Sequence, residues 1–341
     1  MKKILVTLSF AILAHSSLSQ QISIDSQILD QDGNAVPFAA IGIVNENFGA
    51  ITFEDGSFSL DVEEKYMSDS LVISAIGYER TKVAYSEFVR KAPSTIQVKQ
   101  SIRELDEVLI TPEGLDYQLF GEKKKRSNGS LGFYDPQKGA TLAVLLNEER
   151  QFLHIKEIRV SVGRQNLKDF QLRTMIFSMG ADSLPGEQLL KENLILESKI
   201  KKGVVTFELT KDFWTDEPVF VGFEWIVSRK QFETIEMAKE AFPLEFIDEI
   251  DKAHPDLKFS INDSKVVNLR NDAGDIVKSI ELTEEQQEQV KERRKLKPRL
   301  YFQTHTNESG LKAVTGSHIT SKWRRLPYFP LVSIWAGTDP K

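Results

Sequence analysis

The chain contains no cysteine. That excludes disulfides, thiolate nucleophiles and cysteine metal sites, so in an oxidising compartment the core alone must hold the fold. Histidine is nearly as scarce, five in 341 residues, which leaves imidazole chemistry few members. Long apolar runs are missing: the one at residues 4–14 is too short to cross a bilayer as a helix. A basic balance is missing too. Lys and Arg number 44 against 50 Asp and Glu, a formal charge of −6, and such a surface offers nucleic-acid phosphates no basic face. Nor is there an H-E-x-x-H, a G-x-S-x-G, a phosphate loop or a dinucleotide fingerprint.

What is present describes a globular protein, 40% hydrophobic and 28% charged, with room for two domains. Residues 1–19 read as a secretory signal: Lys2 and Lys3 ahead of the apolar run, then Ser17 and Ser19 as small residues at the cleavage positions. The expected mature chain begins near Gln20 with a formal charge of about −8, because the signal removes two lysines and no acids from −6. Export without disulfides or a lipid-anchoring cysteine suits a bacterial envelope, in the periplasm or at the outer membrane or cell surface.

From 20 to 112, short runs rich in β-branched and aromatic residues lie between turn signals. Strands are expected at 22–29, 38–44, 50–53, 57–62, 71–76, 96–98 and 108–110, with a helical turn at 86–90. Asp32-Gly33 and Asp55-Gly56 supply the turns, and Pro37 suits a strand start. Seven strands in this length predict a small antiparallel β-sandwich. The Asp-Gly carboxylates are suitable hard ligands for Ca²⁺, but turn chemistry alone accounts for such pairs.

Three segments carry a family resemblance: G-N-A-V-P-F-A (33–39), G-A-I-T-F-E-D-G-S-F-S-L (49–60) and L-V-I-S-A-I-G-Y-E (71–79). Together they resemble the carboxypeptidase regulatory-like domain. The resemblance implies a transthyretin-like sandwich and the cell-envelope setting of Bacteroidetes proteins. It implies no peptidase activity, since the domain is an accessory beside a catalytic one. E-L-D-E-V-L-I-T (104–111) resembles the segment that joins such domains to a following module.

Residues 113–139 are polar and glycine-spaced, with the basic run Lys123-Lys124-Lys125-Arg126, and read as a linker or extended excursion. Anionic lipid is one possible contact of that run; solvation is the plainer account. From 140 to 341 strand signals resume, at 141–146, 152–162, 170–178, 194–200, 204–209 and 219–228. They predict a second, jelly-roll-like β-sandwich. It is interrupted at about 230–298 by a helical insertion: helices at 232–242 and 244–253, a hairpin with its turn at 262–264, and a charged helix at 284–297 behind the capping box at Thr283. Segments 170–178, 184–190 and 217–225 faintly resemble a sandwich module that follows regulatory-like domains in Bacteroidetes proteins.

The expected whole is therefore mainly β, a transthyretin-like sandwich followed by a second sandwich with an inserted helical region. Because the first domain resembles a carboxypeptidase accessory, a zinc site must be tested. The string His154-Ile155-Lys156-Glu157 has the H-x-x-E spacing, with His254, His305 and His318 downstream. On a regular strand, positions three apart face opposite ways, so the pair could share an ion only across a bulge or loop. The expectation is no enzyme, no cofactor and no metal, with an envelope protein or a glycan as partner. Trp214, Trp225, Trp323 and Tyr328 are the aromatic candidates for stacking on sugar. Trp323, Arg324 and Tyr328 are the ligand-binding candidates, with a tryptophan packed at a domain seam as the competing account of Trp323.

Overall fold

The computed structural model describes residues 22–44, 46, 48–101, 114–121, 127, 129–133, 139–254, 257–262, 264–271, 275–306, 312–317, 322–326 and 328–338. The expected signal, the 104–111 segment with its strand, and the basic run at 123–126 lie outside them.

The first sandwich is built from β1 (Ser23–Leu29), β2 (Ala40–Ile43), β3 (Gly49–Ile51), β4 (Ser57–Asp61), β5 (Ser70–Ser74), β6 (Thr81–Ala84), helix α1 (Tyr85–Lys91) and β7 (Thr95–Gln97). A three-stranded sheet in the order β4-β1-β7 faces a four-stranded sheet in the order β3-β2-β5-β6. Alternation decides which side chains meet between them. In β1, Ile24 and Ile28 point inward; in β4, Phe58 and Leu60 do. Tyr85 and Phe88 of α1 close the core. One detail departs from an all-antiparallel reading: β7 pairs with β1 in parallel, because α1 carries the chain across the core and returns it in the same direction as β1.

The second sandwich begins inside the stretch that reads as a linker. Strands β8 (Asp116–Gly121) and β9 (Gly129–Gly132) precede β10 (Ala140–Leu146), β11 (Leu153–Val162), β12 (Phe170–Met179), β13 (Pro185–Gln188), β14 (Leu194–Ser198), β15 (Gly203–Thr215) and β16 (Val219–Ile226). Then come α2 (Arg229–Ala241), α3 (Glu245–Ala253), β17 (Lys258–Asn262), β18 (Val266–Arg270), β19 (Ile276–Glu281) and α4 (Glu284–Leu296). Strands β20 (Tyr301–Thr306), β21 (Ala313–Ser317), β22 (Lys322–Leu326), β23 (Tyr328–Pro330) and β24 (Val332–Thr338) finish the chain. One sheet runs β13-β12-β16-β10-β21-β22 with β14 on β12. The other runs β23-β20-β11-β24-β8 with β15 on β11 and β9 on β20. Their inner faces share one core, in which Leu142, Ile176 and Phe223 meet Ile158, Phe302 and Ile334. Every residue of β16 is buried. That explains its unbroken apolar run, since a strand covered on both faces has no solvent side to mark.

The insertion is α+β, with the expected hairpin extended by a third strand. Its three helices accompany the meander β17-β18-β19, and Ile247, Val267, Leu269, Leu282 and Val290 form its own small core. Both α2 and α4 start at capping boxes, Ser228 with Gln231 and Thr283 with Gln286.

Candidate functional site

Two motif segments of the first sandwich touch the second. The first is the corner at Val36-Pro37-Phe38-Ala39. The buried Thr52 hydroxyl donates to the Val36 carbonyl at 2.9 Å and accepts from the Ala39 N–H at 2.8 Å. That clamp holds Phe38 in the left-handed region, φ 56°. The Phe38 carbonyl then accepts a 2.9 Å bond from Arg173 Nη1. Arg173 lies opposite Glu224 in the β12–β16 register, and its Nε and Nη2 both bond Glu224 Oε2. The two side chains are 5% and 0% exposed, so the pair is removed from water and its attraction is little screened.

The second contact is the Asp55-Gly56 turn. Gly56 has φ +74°, and a Cβ there would sit 2.6 Å from the Ile28 carbonyl oxygen, so glycine is required on two counts. Asp55 Oδ1 accepts from the Ser57 N–H and hydroxyl. These bonds, ahead of the nearby Arg229 guanidinium, hold the Asp55 carboxyl below its ordinary pKa. Arg229, the first residue of α2, donates to Asp55 Oδ2 at 2.9 Å and lies 4.6 Å above the Phe53 ring. Phe53 in turn meets Phe232 edge-on. The other Asp-Gly turn is internal: Asp30, not Asp32, accepts the loop N–H groups of Asp32 and Asn34. Both turns are accounted for by turn chemistry and ion pairing, without Ca²⁺.

A cleft of about 160 Å³ is lined by residues of the first sandwich and by β16 and α2. Residues 48–53 and 59–61 form one side, residues 225–227 the back, and Phe232, Glu236 and Lys239 of α2 the opposite wall. Lys239 pairs with Glu236 at 2.7 Å.

A second polar constellation sits on the outer face of the β8-β24-β11-β15 sheet. Register places Tyr117, Gly337, His154 and Trp214 in one row. A Cβ on Gly337 would lie 3.0 Å from Tyr117 Cζ, so only glycine lets that ring cross to His154. The Tyr117 hydroxyl is 2.8 Å from His154 Nδ1, and Nε2 is 2.8 Å from Asp212 Oδ1. The Trp214 ring stacks on His154 at 3.9 Å. Lys156, ahead of His154, holds the Asp212 carboxyl below its usual pKa; Asp212 is therefore the acceptor, Nε2 the donor, and Nδ1 the acceptor of the tyrosine proton. Burial pushes the His154 pKa down, Lys156 pushes the same way, and Asp212 opposes both.

This placement corrects the strand argument against H-x-x-E. The register of β11 shifts between Ile155 and Glu157, and Ile155 and Ile158 both enter the core. The bulge thus leaves His154 and Glu157 on the same face. Glu157 is nevertheless bonded by Arg159 Nε and Nη2, and both ring nitrogens of His154 are taken. Among the described residues no group of three or more potential ligands could hold a metal ion.

The aromatic candidates are scattered. Trp323 is half-buried in β22 and meets Phe177 of the same sheet edge-on at 5.8 Å, a packing contact within the second sandwich. Arg324 follows it on the strand opposite Thr315, and Tyr328 opens β23 opposite Thr306. Trp225 is buried in the main core, and Trp214 stacks on His154 and Phe152. The interdomain cleft was not readable in advance, since Arg229 and Asp55 are 174 residues apart.

Residues 24–110 match the family model described as the CarboxypepD_reg-like domain. That part of the chain is a carboxypeptidase regulatory-like domain, a non-catalytic module. No curated protein matches the chain.

Proposed function

We propose that this chain is an exported, non-catalytic binding or assembly protein of the bacterial cell envelope, and that the interdomain cleft is where it binds. The observation that carries this reading is how the regulatory-like domain uses its motif residues. The Phe38 corner and the Asp55-Gly56 turn bond Arg173 and Arg229, and the cleft is lined from both sides of the junction those contacts fix. A site between rigid bodies is a common place for a ligand. The group best suited to acid–base chemistry, His154, is fully buried, with both nitrogens bonded inside the fold. That supports a structural role for it. The Lys2-Lys3 and 4–14 pattern supports export, and the carboxypeptidase regulatory-like domain supports the envelope setting.

In vivo crosslinking tests the reading. A photo-crosslinking residue at Lys239, in the cleft wall, is expected to capture an envelope protein, from a mature chain whose N-terminus begins near Gln20. An uncleaved chain in the cytoplasm, with no adduct specific to that position, would overturn it.

A further inference from the structure

We infer that one end of the second sandwich, where loops 163–169 and 199–202 meet the end of α4, docks on an anionic lipid membrane. The inference goes beyond the binding reading above, since none of these residues lines the cleft.

The fold gathers three basic segments at this end. Segments 163–169, 199–202 and 293–299 carry ten Lys and Arg and one Asp, in a chain whose formal charge is −6. Composition averages the patch away, because its parts stand far apart in sequence. Hydrogen bonds join them. The Gln165 amide donates to the Ile200 carbonyl, and the Lys201 ammonium to the Leu167 carbonyl. On the other side, Asn166 Nδ2 donates to the Lys297 carbonyl at 3.1 Å, and its Oδ1 accepts from the Arg299 N–H at 2.9 Å. Loop 163–169 is thus the middle of one surface, with the other two segments against it.

Much of the positive charge there is uncompensated. Arg164, Lys168 and Lys202 are exposed and, among the described residues, have no hydrogen-bond or ion-pair partner. Lys201 reaches a backbone carbonyl and no carboxylate. Lys199 stands 4.0 Å from Glu197, and both are exposed, so water screens that pair. Arg294, by contrast, turns toward the insertion and bonds Ser264 and the Ile261 carbonyl.

Apolar side chains complete the surface. Leu296, the last residue of α4, is 51% exposed, and Val204, two residues past Lys202, is 56% exposed. Basic groups around exposed aliphatic ones suit the headgroup layer. There the ammonium and guanidinium groups meet lipid phosphates, and the aliphatic side chains enter the acyl boundary. A polyanion in solution would use the charges and leave both aliphatic groups wet. That difference selects the membrane as occupant.

Cosedimentation with vesicles tests the inference. The chain from Gln20 onward keeps every described strand and helix and omits the apolar run at 4–14. It is expected to bind vesicles of phosphatidylcholine with about a third phosphatidylglycerol, and not to bind pure phosphatidylcholine. Binding should vanish at about 1 M salt, where charges act over only about 3 Å. Lys199→Ala with Lys202→Ala, both in the exposed turn, should weaken it about 25-fold, at about fivefold per charge. Leu296→Ser should weaken it at least about threefold. Arg164→Ala carries the charge test if the turn variant fails to fold, with an expected loss of about fivefold. Equal binding to neutral vesicles, or no binding, overturns the inference. So do charge variants that bind as the wild type does, which would move the contact to another segment such as 123–126. Displacement by a soluble acidic polysaccharide, with Leu296→Ser binding unchanged, also overturns it, because the occupant is then a polyanion in solution. Crosslinking from Lys239 succeeds or fails independently of these results.

Discussion

Arg173→Ala isolates the contact that joins the two sandwiches most deeply. The variant removes the Arg173 bond to the Phe38 carbonyl and takes the guanidinium away from Glu224, whose side chain is 0% exposed and keeps its charge buried. Breaking a buried pair from one side costs about 3–5 kcal/mol, because the remaining ion keeps its desolvation penalty. For a folding unit of this size that is a fall in Tm of roughly 10 °C. Arg173→Met with Glu224→Leu behaves differently, since it removes both charges and keeps apolar volume. Such replacements are neutral or stabilising by about 1–4 kcal/mol. The double variant should therefore recover most of the Tm while still lacking a donor for Phe38. Hydrogen exchange at Phe38 and Ala39, whose N–H groups bond Thr52, should remain faster than in the wild type. Urea and thermal unfolding, with exchange mass spectrometry on the same three proteins, read both effects. A single variant costing less than about 1 kcal/mol, or a double variant as unstable as the single, would refute the reasoning.

Four further outcomes follow. Because His154 is held neutral with a depressed pKa, its contribution is fully present above the ordinary value of 6.5 and is lost as pH falls through the lower folded value; the urea midpoint should drop on acidification below 6.5, and His154→Gln should flatten that drop. Gly337→Ala forces Tyr117 off its 3.0 Å contact and should cost about 1–3 kcal/mol in chemical denaturation, whereas Gly163→Ala, where a Cβ meets nothing closer than 3.4 Å, should cost less. Arg229→Ala removes an exposed ion pair and a contact with the Phe53 ring, together worth about 1–2 kcal/mol, and limited proteolysis should then cut between the sandwiches sooner. Trp323→Ala should lower stability by about 2–4 kcal/mol, through its lost contact with Phe177, in a thermal melt.

The sequence signals that proved readable are those whose cause is local. Strand β1 alternates because one face is buried and the other wet, and α4 begins where Thr283 and Gln286 can bond each other across one turn. The start of α2 was placed three residues late, at Phe232, although Ser228 and Gln231 form the same box; the charged pair between them hides the pattern. Strands β8 and β9 read as a linker because their residues are half-exposed and spaced by glycine, and only pairing with β24 and β20 makes them strands. The His154 row is further from sequence still. Its partners stand 37 and 58 residues away, and the bulge at Lys156 that turns Glu157 to the same face leaves no mark on the local pattern.

The motif segments that identify the first sandwich carry a second constraint. Gly56 answers to the fold alone, since its φ and the Ile28 carbonyl exclude any side chain. Asp55 answers to two demands: it bonds Ser57 within the turn and Arg229 beyond it. The same holds at the corner, where Thr52 sets the left-handed Phe38 from inside and Arg173 uses the carbonyl so presented. A sandwich free to rotate on a tether would need only the inner bonds of each pair. The outer bonds fix one orientation of the regulatory-like domain, and that orientation sets the outward edge of β3 opposite α2 instead of in open solvent.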